Sequence, residues 1–186
     1  MISEAKRFVL FIGTRLEAFK ATQILIEGKS EYSLYVATFL NTKLHEYLVN
    51  TNYNSHKVFS KSKNQALNEL QTIICELNPE FVISVGFPYI IPPNILDYKE
   101  IRFYNLHPHI LPKWKGYNAI KDSLAQNENY FGATFHNMTV EVDDGEIIFQ
   151  QGFILDNRNL PHIYDALFSI IEPFVIINGL KRVLNE

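Results

Sequence analysis

The chain has 186 residues, with 17 Lys and Arg against 20 Asp and Glu, a formal charge of −3. This length fits one domain over residues 1–186 that folds without a metal or a disulfide. The acidic balance gives no bulk attraction to nucleic acid, and a single cysteine, Cys75, excludes an internal disulfide framework. No continuous apolar run reaches the ~20 residues that a membrane helix needs. Residues 1–7 lead into only a short apolar run, so no signal-peptide core is expected, and with the lone thiol this points to a reducing, cytoplasmic setting.

Residues 8–12 are continuously apolar and end at Gly13, which reads as a strand buried on both faces. Residues 16–27 read as a helix stopped by Gly28, and 32–39 as a second strand. Asn41 can cap a helix running through Leu48, and Val58-Phe59 can form a short strand. Ser62 can cap a helix over 63–77 with Ala66, Leu67, Leu70, Ile73, Ile74 and Leu77 on one face, closed by Asn78-Pro79. Cys75 falls on the apolar side and is expected to be a buried thiol. Residues 81–85 are another buried strand. Alternating strands and helices at these spacings predict an α/β fold, a mostly parallel sheet with helices on both faces. In such sheets ligands sit beyond the carboxyl ends of the strands.

Residues 102–107 form a strand that runs into Pro108, and a proline-framed loop over 108–116 leads to a helix over 118–125. Residues 131–138 and 146–155 flank a turn, Asp143-Asp144-Gly145, in which Gly145 can supply a positive φ. Residues 163–184 read as a long closing helix with a kink at Pro173.

Asn105 and His107 lie two apart on a strand, so both project from one face. An amide donor beside an imidazole is suited to an oxyanion. Asp143 can pair with an imidazolium and take part in proton transfer. His136, on the strand leading to that turn, can orient either partner. Each piece alone has a plain reading: a hydrogen-bonded structural histidine, a hairpin turn, a core hydrogen bond. Arg15 can hold an acceptor phosphate or be a surface arginine. Lys113-Trp114-Lys115 with Tyr117 is a small cationic and aromatic patch, read as a loop ordered over the site rather than a nucleic-acid surface.

Taken in order, Asn105-Leu106-His107-Pro108 with Leu111-Pro112, then Lys113 to Gly116, Gly132-Ala133-Thr134-Phe135-His136, and Val142-Asp143-Asp144-Gly145-Glu146-Ile147 with Gln150 resemble the 10-formyltetrahydrofolate-dependent formyltransferase family. The resemblance implies a Rossmann-like formyltransferase fold and formyl transfer from 10-formyltetrahydrofolate to an amine, with no metal. It implies that Asn105 and His107 stabilise the tetrahedral oxyanion, that Asp143 helps move the proton and that His136 supports them. The donor pocket would take Ser84, Gly86, Phe87, Tyr89 and Ile90 on one wall and Val140, Val142 and Asp144 on the other. Gly13, Thr14, Arg15 and Lys115 would meet the acceptor.

Gly13-Thr14-Arg15 is similar to the opening of the methionyl-tRNA and amino-sugar enzymes, and residues 82–92 are similar to the amino-sugar members. A nucleotide-linked amino sugar is therefore the first expected acceptor. A glycinamide-ribonucleotide-type enzyme, a formyltetrahydrofolate hydrolase and a non-catalytic folate or nucleotide binder are the alternatives, and a homodimer is compatible with each. His109, Lys115 and the stretch Gly116-Tyr117-Asn118-Ala119 depart from the family's usual pattern near the acceptor side.

Overall fold

The computed structural model describes residues 6–98, 100–155 and 159–185; the expectation for the first five residues lies outside them. Seven strands form one sheet in the order β3-β2-β1-β4-β5-β6-β7. They are β1 (Arg7–Gly13), β2 (Tyr32–Phe39), β3 (His56–Phe59), β4 (Phe81–Val85), β5 (Arg102–His107), β6 (Tyr130–Asn137) and β7 (Ile147–Ile154). β1 to β5 pair in parallel, and β6 and β7 extend the sheet antiparallel.

The helices α1 (Leu16–Glu27), α2 (Lys43–Asn50), α3 (Lys63–Leu77), α4 (Pro93–Leu96), α5 (Ala119–Ala125), α6 (Leu160–Ala166) and α7 (Glu172–Val183) complete the fold. The central strands explain its two layers. Val9 and Phe11 of β1 with Phe81 and Ile83 of β4 pack on one face with Phe19 of α1, Leu44 of α2 and Val175 of α7. Leu10 and Ile12, with Val82, pack on the other face with Leu70 and Ile74 of α3 and Ile95 of α4. Every residue of β4 is buried, as a strand covered on both faces requires.

Several local details differ from the expectations. Thr42, not Asn41, caps α2, its Oγ1 accepting from the His45 N–H at 3.1 Å. Ser62 precedes α3 without a side-chain capping bond. Cys75 is exposed, its Sγ 3.3 Å from the Tyr98 hydroxyl, because it lies at the edge of the apolar stripe of α3 rather than within it. The closing helix does not break at Pro173. A π turn, Leu167–Ile171, joins α6 to α7. Proline has no N–H and its ring crowds the carbonyl four residues back, here Ser169, so the widened turn carries the helix past it.

The stretch Leu160–Val183 is long and apolar enough to cross a membrane by length and composition, its apolar run being interrupted by Asp165 and Glu172. Within it Ile163, Leu167, Val175, Ile176 and Leu180 are buried in the core that this helix shares with the sheet.

The switch in strand order lies between β1 and β4, so the chain leaving β1 and the chain leaving β4 diverge and open a cleft beyond the carboxyl edge. Gly13 makes this close approach feasible. Its φ is +138°, and a Cβ there would lie 1.9 Å from the Val85 carbonyl oxygen. We expect Gly13→Ala to destabilise the fold by about 3 kcal/mol. Urea unfolding would show it as a lower midpoint at unchanged slope; an unchanged midpoint would contradict it.

Candidate active site

A cleft of about 530 Å³ opens at this switch point, beyond the ends of β1, β4 and β5. Thr14 and Arg15, which follow β1, and Asn105, His107, His136 and Asp143, carried by β5, β6 and the turn after β6, all line it. Ser84, Gly86, Phe87, Tyr89 and Ile90, at and beyond the end of β4, line it too, as do Met138, Thr139, Val140, Glu141 and Val142, which follow β6. A smaller depression at the amino edge of the sheet has one of its two acids, Glu80, occupied by Arg7 and Arg102.

Strand geometry brings the polar groups together. Asn105 and His107 share a face of β5, with buried Leu106 turned to the other layer. Antiparallel register sets His136 of β6 directly opposite Asn105 and Thr134 opposite His107. A register irregularity between Phe135 and His136 interrupts the β6–β7 ladder just before the turn that carries Asp143. Asp143 itself takes the positive φ, +54°, that the sequence suggests for Gly145. Gly145 is needed for a different reason: a Cβ there would lie 1.8 Å from the Asn137 carbonyl oxygen.

The carboxylate of Asp143 is the hub. Its Oδ2 lies 3.1 Å from His107 Nδ1 and accepts from the Gly116 N–H at 2.8 Å. Its Oδ1 accepts from Asn105 Nδ2 at 3.3 Å and lies 3.5 Å from His136 Nε2. Burial opposes ionisation of Asp143, but hydrogen bonds from His107 and His136, the His107 charge and the Gly116 N–H outweigh it and hold its carboxyl far below the ordinary carboxylate range.

His107 Nε2 faces the Trp114 carbonyl at 2.8 Å. With Asp143 on Nδ1, both ring nitrogens face acceptors, an arrangement that a doubly protonated imidazole satisfies. His136 Nδ1 lies 2.8 Å from the Asn137 carbonyl, and its Nε2 stands 3.2 Å from Asn105 Nδ2 as well as 3.5 Å from Asp143 Oδ1. Asn105 Nδ2 thus donates to Asp143 and sits beside His136, and the expected oxyanion donors are paired internally.

Three residues expected at the site do not line the cleft: Gly13, Lys115 and Asp144. Gly13 serves the strand contact described above. Lys115 and Asp144 pair with each other across the mouth, because their loops meet there. Arg15 reaches the cleft but is not free: its Nε lies 3.6 Å from Glu172 Oε2, and its guanidinium carbon sits 3.6 Å from the centre of the Phe168 ring. Glu172 is 1% exposed, and burial, offset by Arg15, pushes its carboxyl up to about 8. The sequence reading misses Glu172. A lone acid inside the apolar run Leu167-Phe168-Ser169-Ile170-Ile171-Glu172 was the available signal. His109 is buried between Trp114 and Phe131, accepts the Ile110 N–H on Nδ1, and burial, followed by His107, lowers its pKa to about 4.

These two acids give opposite pH signatures. Folded Asp143 binds its proton more weakly than the unfolded chain does, so its contribution is present above the ordinary carboxylate pKa and is lost as pH falls. Folded Glu172 binds its proton more tightly, so its contribution is full below pH ~4 and is lost as pH rises toward about 8. Urea unfolding across pH should show that Glu172→Gln removes the decline between pH ~4 and 8. Retention of the full decline in that variant would contradict it.

The formyl transferase family profile matches residues 20–166. Methionyl-tRNA formyltransferase of Borreliella burgdorferi (strain ZS7) is 25% identical over 111 residues, 60% of this chain and 36% of that protein. The chain therefore spans little more than a third of that relative. The crystal structure of phosphoribosylglycinamide formyltransferase from Bacillus halodurans superposes with a TM-score of 0.79 at 22% identity, covering 97% of this chain and 96% of the other. A formyltetrahydrofolate deformylase from Pseudomonas syringae pv. tomato superposes at 0.78 and 19% identity, covering 98% and 62%. With most of its length matched by the profile, and with the polar groups of that pattern converging on one cleft, the chain belongs to the formyl transferase family.

Proposed function

We propose that this protein transfers a formyl group from 10-formyltetrahydrofolate to the primary amine of a phosphorylated sugar, in the first instance a nucleotide-linked amino sugar. The observation that carries this reading is the convergence of Asn105, His107 and Asp143 in a cleft that Arg15 also lines. Arg15 follows β1 and Asn105 lies on β5, with β4 between them. A cleft of about 530 Å³ over these three strands gives room for an amine and a phosphate joined through a sugar ring. The largely apolar walls formed by Phe87, Ile90, Ile91, Met138, Val140 and Val142 suit a flat aromatic donor.

In this reading the amine nitrogen attacks the formyl carbon and a tetrahedral oxyanion forms. The oxyanion takes the place of the Trp114 carbonyl on His107 Nε2 and of one of the long bonds made by Asn105 Nδ2. Asp143, ionised across the neutral range, stabilises positive charge on His107 and steers the proton from the attacking amine toward the folate nitrogen. The carbon–nitrogen bond to the folate then breaks as the new amide forms. Arg15 binds the phosphate.

A second reading, glycinamide ribonucleotide as the acceptor, is favoured by the near-complete mutual coverage with the Bacillus halodurans structure. Incubation with 10-formyltetrahydrofolate and a panel of nucleotide-linked amino sugars and glycinamide ribonucleotide, followed by the folate absorbance change, separates the two. Turnover with the amino sugars supports the first reading, and turnover only with glycinamide ribonucleotide supports the second. Rapid formate release without any amine would make the protein a hydrolase, and folate binding without turnover would defeat catalysis altogether. Asn105→Ala, His107→Ala and Asp143→Asn should each lower the rate ~10²–10³-fold, with far-UV circular dichroism checking that each variant is folded. Full activity in His107→Ala would overturn the mechanism.

A further inference from the structure

Arg15 is held from three sides. Gly86 lies beneath its stem with φ +67°, and a Cβ there would fall 2.9 Å from Thr14 Oγ1, 3.3 Å from Arg15 Cγ and 3.4 Å from Arg15 Nε. Thr14 Oγ1 donates to the Gly86 carbonyl at 3.1 Å, tying the chain after β1 to the chain after β4. Phe168 stacks against the guanidinium at 3.6 Å. Glu172 lies behind it, its Oε2 3.6 Å from Arg15 Nε. Arg15 Nε and Glu172 Oε2 are both buried, and neither has a hydrogen-bond partner. A buried, under-satisfied acid next to a cation is expensive, so the pair needs an explanation.

The π turn supplies part of the geometry. Leu167–Ile171 carries Phe168, and Glu172 follows at once, so the widened turn sets the ring and the carboxyl against the same guanidinium. Such turns recur at functional sites. Arg15 itself lines the cleft. Burial, offset by Arg15, raises the Glu172 carboxyl to about 8, so near neutral pH it sits against Nε without cancelling the arginine's charge.

We propose that Glu172 and Phe168 are positioning residues that hold Arg15 across the cleft as the anion-recognition group for the acceptor. The proposal rests on the acceptor being phosphorylated, and it assigns to the carboxyl end of the chain a role in choosing that acceptor. Glu172 acts through Arg15 and does not touch the substrate. Fixing the arginine before binding removes the entropy that a free side chain would lose on meeting the anion.

Inorganic pyrophosphate is the probe, titrated calorimetrically so that no acceptor or donor is required. Arg15→Ala should weaken binding about tenfold, the value of a charge-assisted contact. Glu172→Met keeps the volume but removes the oxygens, and should weaken binding roughly fivefold; Glu172→Gln, which keeps an acceptor oxygen, should bind within about twofold of wild type. In the Arg15→Ala background, Glu172→Met should add nothing. With an acceptor that turns over, the Glu172→Met effect should fall on the acceptor KM and leave kcat unchanged. The melting temperature of each variant checks folding. Wild-type protein that does not bind pyrophosphate, Glu172→Met that binds as wild type does, or a further loss in the double variant overturns the proposal. The expected binding pattern without turnover of any amine would instead defeat the transferase reading and leave the positioning role supported.

Discussion

The site depends on keeping one carboxylate ionised where little water reaches it. The Asp143 side chain is 8% exposed, and an isolated charge at that depth would take up a proton rather than remain charged. It stays charged because four groups from three other segments face it: Asn105 and His107 from β5, His136 from β6 and the Gly116 N–H from the loop after β5. The same contacts that hold the charge therefore hold the architecture. They fasten the loop after β5 and the turn after β6 to the edge of the sheet, and those two segments form the mouth of the cleft.

This arrangement makes the resting site internally satisfied. Trp114, at φ +55°, aims its carbonyl at His107, and Asn105 Nδ2 donates to Asp143 with His136 Nε2 close by. A reacting oxygen that draws on these donors competes with existing bonds, of which those from Asn105 are long and correspondingly weak. Such a site favours developing negative charge over a neutral carbonyl, since only the stronger acceptor gains by the exchange.

Around the mouth stand Ile90, Tyr117, Val140 and Val142, all exposed. Apolar groups gathered at a cleft rim are costly in water and gain from a flat ligand laid between them. Behind them Phe87 and Tyr89 pack with Phe39 and Phe59, which ties the donor-side wall to the core beside α3. Arg15 is anchored in the other layer, through Phe168 and Glu172. The donor-side wall and Arg15 thus take their rigidity from opposite faces of the sheet.

Much of this was legible in the chain alone. Buried strands show as unbroken apolar runs, and a two-residue period aligns Asn105 with His107 whatever the surroundings. Four spaced motifs in a fixed order identified the chemistry to expect. Other features carry no local signature. The Trp114 carbonyl on His107 and the Gly116 N–H on Asp143 are backbone groups, present at every residue, and only the path of the loop selects them. The partnership of Lys115 with Asp144 depends on two loops meeting. The positive φ at Asp143, rather than at Gly145, follows from the backbone packed beside the glycine. Arg15 and Glu172 stand near opposite ends of the sequence and meet because α7 packs against α1. Local residue patterns, set by side-chain chemistry and strand or helix period, determined the elements and the reactive groups; long-range packing, which no local pattern encodes, decided which of those groups are held, paired or open to a substrate.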